Sequence, residues 1–424
     1  MVFDPDPELA ALLESLLHPQ LKRISPGLER MEALLNALGN PHHTLPPVIH
    51  IAGTNGKGST LAIMRAVLEA VGMKVHLYSS PHLIQFNERI TVAGEPISKA
   101  NLMPLLERIY ALQSDYPATF FEATTAAAFL AFAEASADIV LLETGMGGRL
   151  DSTNVIDKPL ANLITPIGFD HQDFLGDTLT KIAAEKAGIL RTESPAFIAK
   201  QPDEGLEVIL SHKADSHIAG RDWDYEILSD IRWIYKEGEL EQSLPYPGLL
   251  GEHQIANAAL AIACLRHCFP EITFCQIAEG IQKAAWPARI QPLTEGYWRK
   301  FIDDSQPLYL DGAHNPMAAR RLVEWSSAAF SQRPSLVIAM KSDKDAEAFL
   351  KEWQGQVEQI IFTEIEEEPE SAEPEKLLKS AEKLGFRVDA ALSVEEALSA
   401  LKEKTRPIII CGSLYLAGNI LGKS

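Results

Sequence analysis

Residues 48–60 read VIHIAGTNGKGST. A short apolar run, Val48 to Ala52, passes into a glycine-rich turn, and a helical pattern follows from about Gly58 to Val71. Strand, small-residue loop and helix in that order let a curled backbone aim successive N–H groups at phosphate oxygens. Lys57 then brings a positive charge to the distal phosphates, and a Ser or Thr hydroxyl is placed to meet magnesium. The string departs from the standard phosphate loop, because Gly58 separates Lys57 from Ser59. A glycine-rich turn with an incidental lysine is the bland alternative. It leaves the coincidence of strand, loop, lysine and hydroxyl without a reason.

The same alternation recurs along the chain. Apolar runs at Lys74 to Tyr78, Asp138 to Leu142, Leu160 to Thr165 and Ala196 to Ala199 alternate with helical stretches, as in a mostly parallel sheet covered on both faces. Two short amphipathic helices, about residues 7 to 17 and 27 to 38, precede it. Between 217 and 247 the texture turns polar and aromatic (DWDYEIL, IRWIYKEG), which predicts antiparallel hairpin strands. A helix pair is expected at His253 to Cys268 and Thr273 to Ala284, and a domain junction at WPARIQPLTEG. A second alternation follows: LYL, a helix from about Pro316, SLVIAM, QIIFTEI, FRVDAAL and PIIICGS. The expectation is α/β throughout: a phosphate-loop domain over 1–290 and a smaller, Rossmann-like α/β domain over 291–424.

Composition bounds the partners. The 424 residues carry 46% hydrophobic and 23% charged side chains, the balance of an ordinary globular chain. A net charge of −20 opposes general binding to nucleic acid or an anionic membrane, while leaving room for a local basic pocket. The opening MVFDPDPELA lacks the basic and apolar run of a signal peptide, and the richest apolar stretch, Thr124 to Leu142, is broken by Glu134 and Asp138. A cytoplasmic protein is expected. Cys264, Cys268 and Cys275 lie near His267, but their spacing fits no standard zinc pattern, and buried structural cysteine is the reading adopted. The stretch 364–375, EIEEEPESAEPE, has seven Glu and no basic residue and reads as a solvated loop and helix entrance.

Ligands of open α/β sheets sit outside the carboxyl ends of the strands. Glu143, ending DIVLLE, is therefore the leading acidic candidate for a magnesium site, which wants oxygen ligands. Asp170 and His171 occupy the corresponding place after NLITPIGF. In LYLDGAHNPMAA, Asp311 stands at a strand end, and Asn315 before Pro316 makes a ready helix cap. Capping there is compatible with Asp311 and His314 facing a nucleotide.

Taken in order, GTNGKGST, YSSPHLIQFNERI, TFFEATTAAAF, ETGMGGRLDSTN, IGFDHQDFLG, AAEKAGIL, GEHQIANAALA, ARI, DGAHNP and CGSLYLAG resemble the folylpolyglutamate synthase and dihydrofolate synthase family, a branch related to the Mur ligases. The resemblance implies ATP-dependent amide ligation: ATP phosphorylates a carboxylate, and the amine of L-glutamate attacks the acyl phosphate. It implies dihydropteroate and reduced folates as acceptors, with ATP and Mg2+ as cofactors; no nucleic-acid or membrane partner is expected on the ground of net charge.

By motif, the resemblance assigns Gly56, Lys57, Gly58 and Ser59 to the ATP phosphates, and Ser80, Glu143 and His171 to magnesium. It implies that Lys186 is carbamylated and serves as an anionic ligand or orienter for a second magnesium; the residues alone read only as a helical lysine beside Glu185. Lys57, Lys186 and His171 are the implied catalytic residues. Asn257, Arg289, Asp311 and His314 would complete the ATP site across the domain boundary, where the basic residues Lys57, Arg149 and Arg289 gather. Thr119, Phe120, Phe121, Glu122 and Leu150 fall where the family binds the pterin, although Phe at a helix start also suits a core. The family commonly has Pro-Gly-Arg-Phe where this chain has Pro287-Ala288-Arg289-Ile290, so the arginine is retained in altered surroundings.

Three other readings compete. One is a member with only one of the two folate activities, against which the match at the pterin site favours both. A Mur-type amino-acid ligase calls for a further N-terminal domain, and the residues before Gly53 are few for one. A nucleotide-dependent switch leaves DGAHNP unexplained. A monomer is expected.

Overall fold

The computed structural model describes residues 4–17, 27–228, 231–402 and 406–423. Contacts divide the chain into two compact units: one runs up to Gly248 and resumes over Gln254–Ala285, and the other takes Leu249–His253 and Trp286 onward.

The first unit is built on an eight-stranded sheet. Its strands are β1 (Val48–Ala52), β2 (Val75–Tyr78), β3 (Ile90–Val92), β4 (Glu95–Pro96), β5 (Ile139–Glu143), β6 (Ala161–Ile164), β7 (Ala196–Ile198) and β8 (His217–Ile218), in the order β4-β3-β2-β5-β1-β6-β7-β8. From β2 to β8 the pairing is parallel; β3 and β4 add an antiparallel margin. The central strands VIHIA and IVLLE are buried along their whole length, as expected when both faces are covered. β1 lies between β5 and β6, where the connections change direction, so the loop after it opens at a switch point of the sheet.

One face carries a large core from Leu9, Leu34 and Leu35 through Phe86, Leu106 and Phe129 to Val140 and Leu142. The helix Phe120–Glu134 supplies much of it and is buried on nearly every side, which suits its run of Ala and Phe. It starts at a capping box: the Thr119 hydroxyl accepts from Glu122 N, and the Glu122 carboxylate accepts from Thr119 N at 2.6 Å. A second core, around Ile164, Ile182, Ile189 and Ile209, continues the packing toward β7 and β8.

The expected hairpin region is a three-stranded antiparallel sheet of β9 (Trp223–Ile227), β10 (Arg232–Glu237) and β11 (Leu240–Pro245). One correction applies. His217–Ile218, read as the start of that hairpin region, instead pairs in parallel with β7 through Phe197↔His217 and extends the main sheet.

The second unit has six strands, β12 (Gln291–Pro292), β13 (Leu308–Leu310), β14 (Ser335–Ile338), β15 (Gln359–Phe362), β16 (Val388–Ala390) and β17 (Ile408–Cys411), in the order β12-β13-β17-β14-β15-β16. All pair in parallel except β12. Its core joins Leu336, Ile338, Phe349, Trp353, Ile360 and Phe362. The acidic stretch leads into the helix Pro374–Lys383, and among the described residues three of its carboxylates are paired, Glu366 with Lys423, Glu370 with Lys341 and Glu373 with Lys376.

Candidate active site

The helix Lys57–Ala70 follows β1 with Gly56 as its cap and no side chain bonded to its first turn. The first intrahelical bond runs from Thr60 N to Gly56 O, so the N–H groups of Lys57, Gly58 and Ser59 precede the helical ladder and point out of its positive end. Gly56 has φ +92°, and a Cβ there would lie 2.6 Å from Asn257 Oδ1, so only glycine permits this turn. Asn257 is buried, and its amide donates to Gln254 Oε1 at 2.9 Å.

Three charged side chains converge on this loop. Lys57 Nζ donates to Gly53 O at 3.2 Å and stands 3.8 Å from Glu143 Oε1. Glu143 is 5% exposed at the end of β5, opposite Ile51 in the register, and its Oε2 accepts from Ser80 N at 3.4 Å. Lys186, 4% exposed on the helix Leu179–Ala187, donates to the same Gly53 carbonyl at 2.9 Å. Burial, then the nearby Lys57 charge, pull the Lys186 amine down to about 7, against the opposing pull of Asp170 and Asp151. His171 sits in the left-handed region (φ 50°) before the one-turn helix Gln172–Leu175, with Nε2 4.0 Å from Asp170 Oδ1.

Among the described residues no three His, Cys, Asp or Glu side chains form a metal-holding group. Beside Lys57 stands the hard carboxylate of Glu143, with Ser80 bonded to it through its backbone N–H, and such oxygen chemistry suits magnesium, which keeps water and phosphate in its remaining positions.

The expected pterin residues form a neighbouring group. The Phe121 ring lies directly on the backbone of Gly145, two residues beyond Glu143, where a Cβ would overlap it. Phe120 meets Phe86 edge to face at 6.1 Å, and Leu150 is half-buried. Glu122, besides capping its helix, takes two hydrogen bonds from Arg30 at 2.8 and 3.2 Å, so its charge is already matched. Sequence reasoning passed over Arg30, because the two lie 92 positions apart. It also passed over Asp151, which pins the GMGGR loop by accepting from Met146 N at 2.9 Å and from the Thr153 hydroxyl at 2.6 Å. Thr153 in turn meets His50 Nε2 at 2.8 Å. Arg149, expected to contribute basic charge, is held by Glu185 at 2.7 Å.

In the second unit, Asp311 accepts from Ile290 N and Ala313 N, both at 2.8 Å, and burial raises its carboxyl pKa while Arg289 opposes the rise. The His314 ring donates from Nδ1 to Gly312 O at 2.8 Å, and Asn315 caps the following helix by accepting from Ala318 N. Arg289 is flanked by two non-glycine residues with positive φ, Ala288 (55°) and Ile290 (48°).

A phosphate cradle at the switch point of a parallel sheet, with a lysine and a carboxylate at its mouth, defines an ATP-dependent enzyme. Residues 51–265 match the Mur ligase middle domain, and residues 296–423 match the dihydrofolate synthetase C-terminal domain. The dihydrofolate synthase/folylpolyglutamate synthase of Bacillus subtilis is 35% identical, with 96% of this chain and 97% of that protein aligned. Escherichia coli FolC in complex with DHPP and ADP superposes with a TM-score of 0.86 at 32% identity, covering 97% of this chain and 96% of that one. A bifunctional folylpolyglutamate synthase/dihydrofolate synthase with Mn, AMPPNP and L-glutamate bound gives 0.85 at 31% identity, covering 97% of each. The protein is an ATP-dependent ligase. It belongs to the dihydrofolate synthase/folylpolyglutamate synthase family.

Proposed function

We propose that this enzyme joins L-glutamate to dihydropteroate and also extends the glutamate tail of reduced folates, through an acyl phosphate. The observation that carries the reading is the convergence of Lys57, Glu143 and Lys186 on the loop between β1 and its helix. A carboxylate at neutral pH resists attack by an amine; phosphorylation supplies a good leaving group, and the protein's contribution lies in positioning and charge neutralisation.

In this reading the N–H groups of Lys57, Gly58 and Ser59 bind ATP phosphate oxygens, with Gly56 allowing the close turn. The Lys57 ammonium holds the distal phosphate while the acceptor carboxylate attacks phosphorus. Ser80, Glu143 and His171 would hold magnesium, which when bound offsets phosphate charge. An amine with a pKa near 7 is largely neutral at slightly alkaline pH and can add carbon dioxide, which supports carbamylation of Lys186. Asn257, Arg289, Asp311 and His314 would bind the rest of ATP. Thr119, Phe120, Phe121 and Leu150 would wall the pterin, with Glu122 fixing that helix start. The enzyme would work in the cytoplasm as a monomer; no helix among the described residues is long and apolar enough to cross a membrane.

The test is phosphate release from ATP and magnesium with L-glutamate and either dihydropteroate or a reduced folate. Release that requires glutamate and proceeds with either acceptor is expected. Release independent of both acceptors would remove the ligase reading, and turnover with one acceptor alone would leave a single activity.

A further inference from the structure

Arg89 is 9% exposed at the end of the turn Phe86–Arg89, just before β3, and it touches both the magnesium loop and the pterin wall of the reading above. Its carbonyl accepts from Ser79 N at 3.0 Å, directly beside Ser80. Its Nε donates to His82 Nδ1 at 2.8 Å. A guanidinium has no acceptor to offer, so Nδ1 of His82 must present its lone pair and the ring proton resides on Nε2. The guanidinium carbon lies 5.4 Å from the centre of the Phe86 ring and 5.9 Å from that of Phe120, and His82 also meets Phe86 edge to face at 5.7 Å. The guanidinium thus links His82 of the loop 79–82 to the aromatic ring proposed to face the pterin, while the backbone of the same residue holds Ser79.

We propose that Arg89 is a positioning residue that fixes the loop carrying Ser80 relative to Phe120, and so sets where the pteroate carboxylate stands against the ATP phosphate. This inference rests on the assignment of Phe120 to the pterin wall. A planar guanidinium suits the task because it stacks on rings and hydrogen-bonds in its own plane at once, which an ammonium does not. The effect acts through Phe120 and the Ser80 loop, since Arg89 itself is packed behind them.

Arg89→Lys and Arg89→Met, compared with Phe120→Ala, test it by steady-state kinetics for each substrate. The expected result is a rise of about tenfold in KM for dihydropteroate in both Arg89 variants, the scale of a lost buried cation–π contact and charge-assisted hydrogen bond. Half-saturating magnesium should rise as well, with KM for L-glutamate unchanged. Phe120→Ala should raise KM for dihydropteroate alone. Folded Arg89 variants with unaltered constants, or with all constants shifted equally, would overturn the proposal. An unaltered dihydropteroate KM in Phe120→Ala would instead defeat the pterin assignment. Should neither Arg89 variant fold, 15N NMR of the wild-type ligase decides: a His82 ring protonated on Nδ1 contradicts the linkage, and one protonated on Nε2 supports it.

Discussion

Lys186 Nζ donates a 2.9 Å hydrogen bond to the carbonyl of Gly53, the first residue of the phosphate loop, across 133 positions of sequence. The same carbonyl accepts from Lys57, so two cations share one acceptor in a site that is largely closed to water. Such an arrangement favours removing one of the two charges, and carbamylation does so.

Lys186→Ala should therefore lower kcat by about 10²- to 10³-fold, the cost of losing a preorganised charge at the reacting end. ATP affinity, read by calorimetry, should change by less than about threefold on the same argument. Acetate or formate should restore part of the activity by placing a carboxylate in the space left by the side chain. Equal losses in kcat and ATP affinity would speak against a role at the reacting phosphate.

Glu143→Gln keeps the shape of the side chain and its acceptor for Ser80 N, but removes the negative charge 3.8 Å from Lys57. The magnesium concentration giving half-maximal phosphate release should rise by about 10- to 100-fold, with the unfolding temperature little changed. A magnesium titration that superposes on the wild type would take Glu143 out of the metal site.

Ala288 occupies the left-handed region with φ 55°. A Cβ there crowds the backbone by about 1–2 kcal/mol, part of which glycine returns as chain entropy in the unfolded state. Ala288→Gly should stabilise the second unit by about 1 kcal/mol, seen as a higher midpoint in urea. A lower midpoint would mean that the surrounding structure already relieves the strain.

His50 is buried against Thr153, and burial, then Arg191, depress its pKa to about 3. Its unfolded value is 6.5, so between those limits the unfolded chain takes up the proton first. The stability tied to neutral His50 is complete above pH 6.5 and drains away as pH falls toward 3. His253 acts in the same sense, held to about 4 by burial and then by Arg321 and Arg289. Unfolding free energy should drop by up to about 1 kcal/mol per pH unit for His50 across that window. His50→Gln should flatten the acid limb of a plot of unfolding temperature against pH; an unchanged limb would assign acid unfolding to other groups.

The parallel strands were legible because strands buried on both faces are continuous apolar runs, as in Val48–Ala52 and Ile408–Cys411. The phosphate loop was legible because its glycines, lysine and hydroxyls are contiguous. The margin β3–β4 escaped notice, since three- and two-residue strands give no periodicity to read. The short parallel strand at His217 was absorbed into the hairpin for the same reason. Pairings such as Arg30 with Glu122 and His50 with Thr153 depend on the folded chain and leave no local trace in the sequence. The chemistry proposed for Lys186 comes from resemblance alone; the burial and depressed pKa that support it depend on the folded chain.

The sheets also end in a particular way. β4 is Glu95–Pro96 at one margin of the large sheet, β12 is Gln291–Pro292 at a margin of the second, and β11 closes the hairpin sheet on Pro245. The opposite margin of the large sheet, β8, is two residues long. Proline offers no N–H to an incoming strand, and a two-residue strand offers too short a template for one. These four margins thus give an incoming strand little to pair with, which limits them as docking rails for fibril growth.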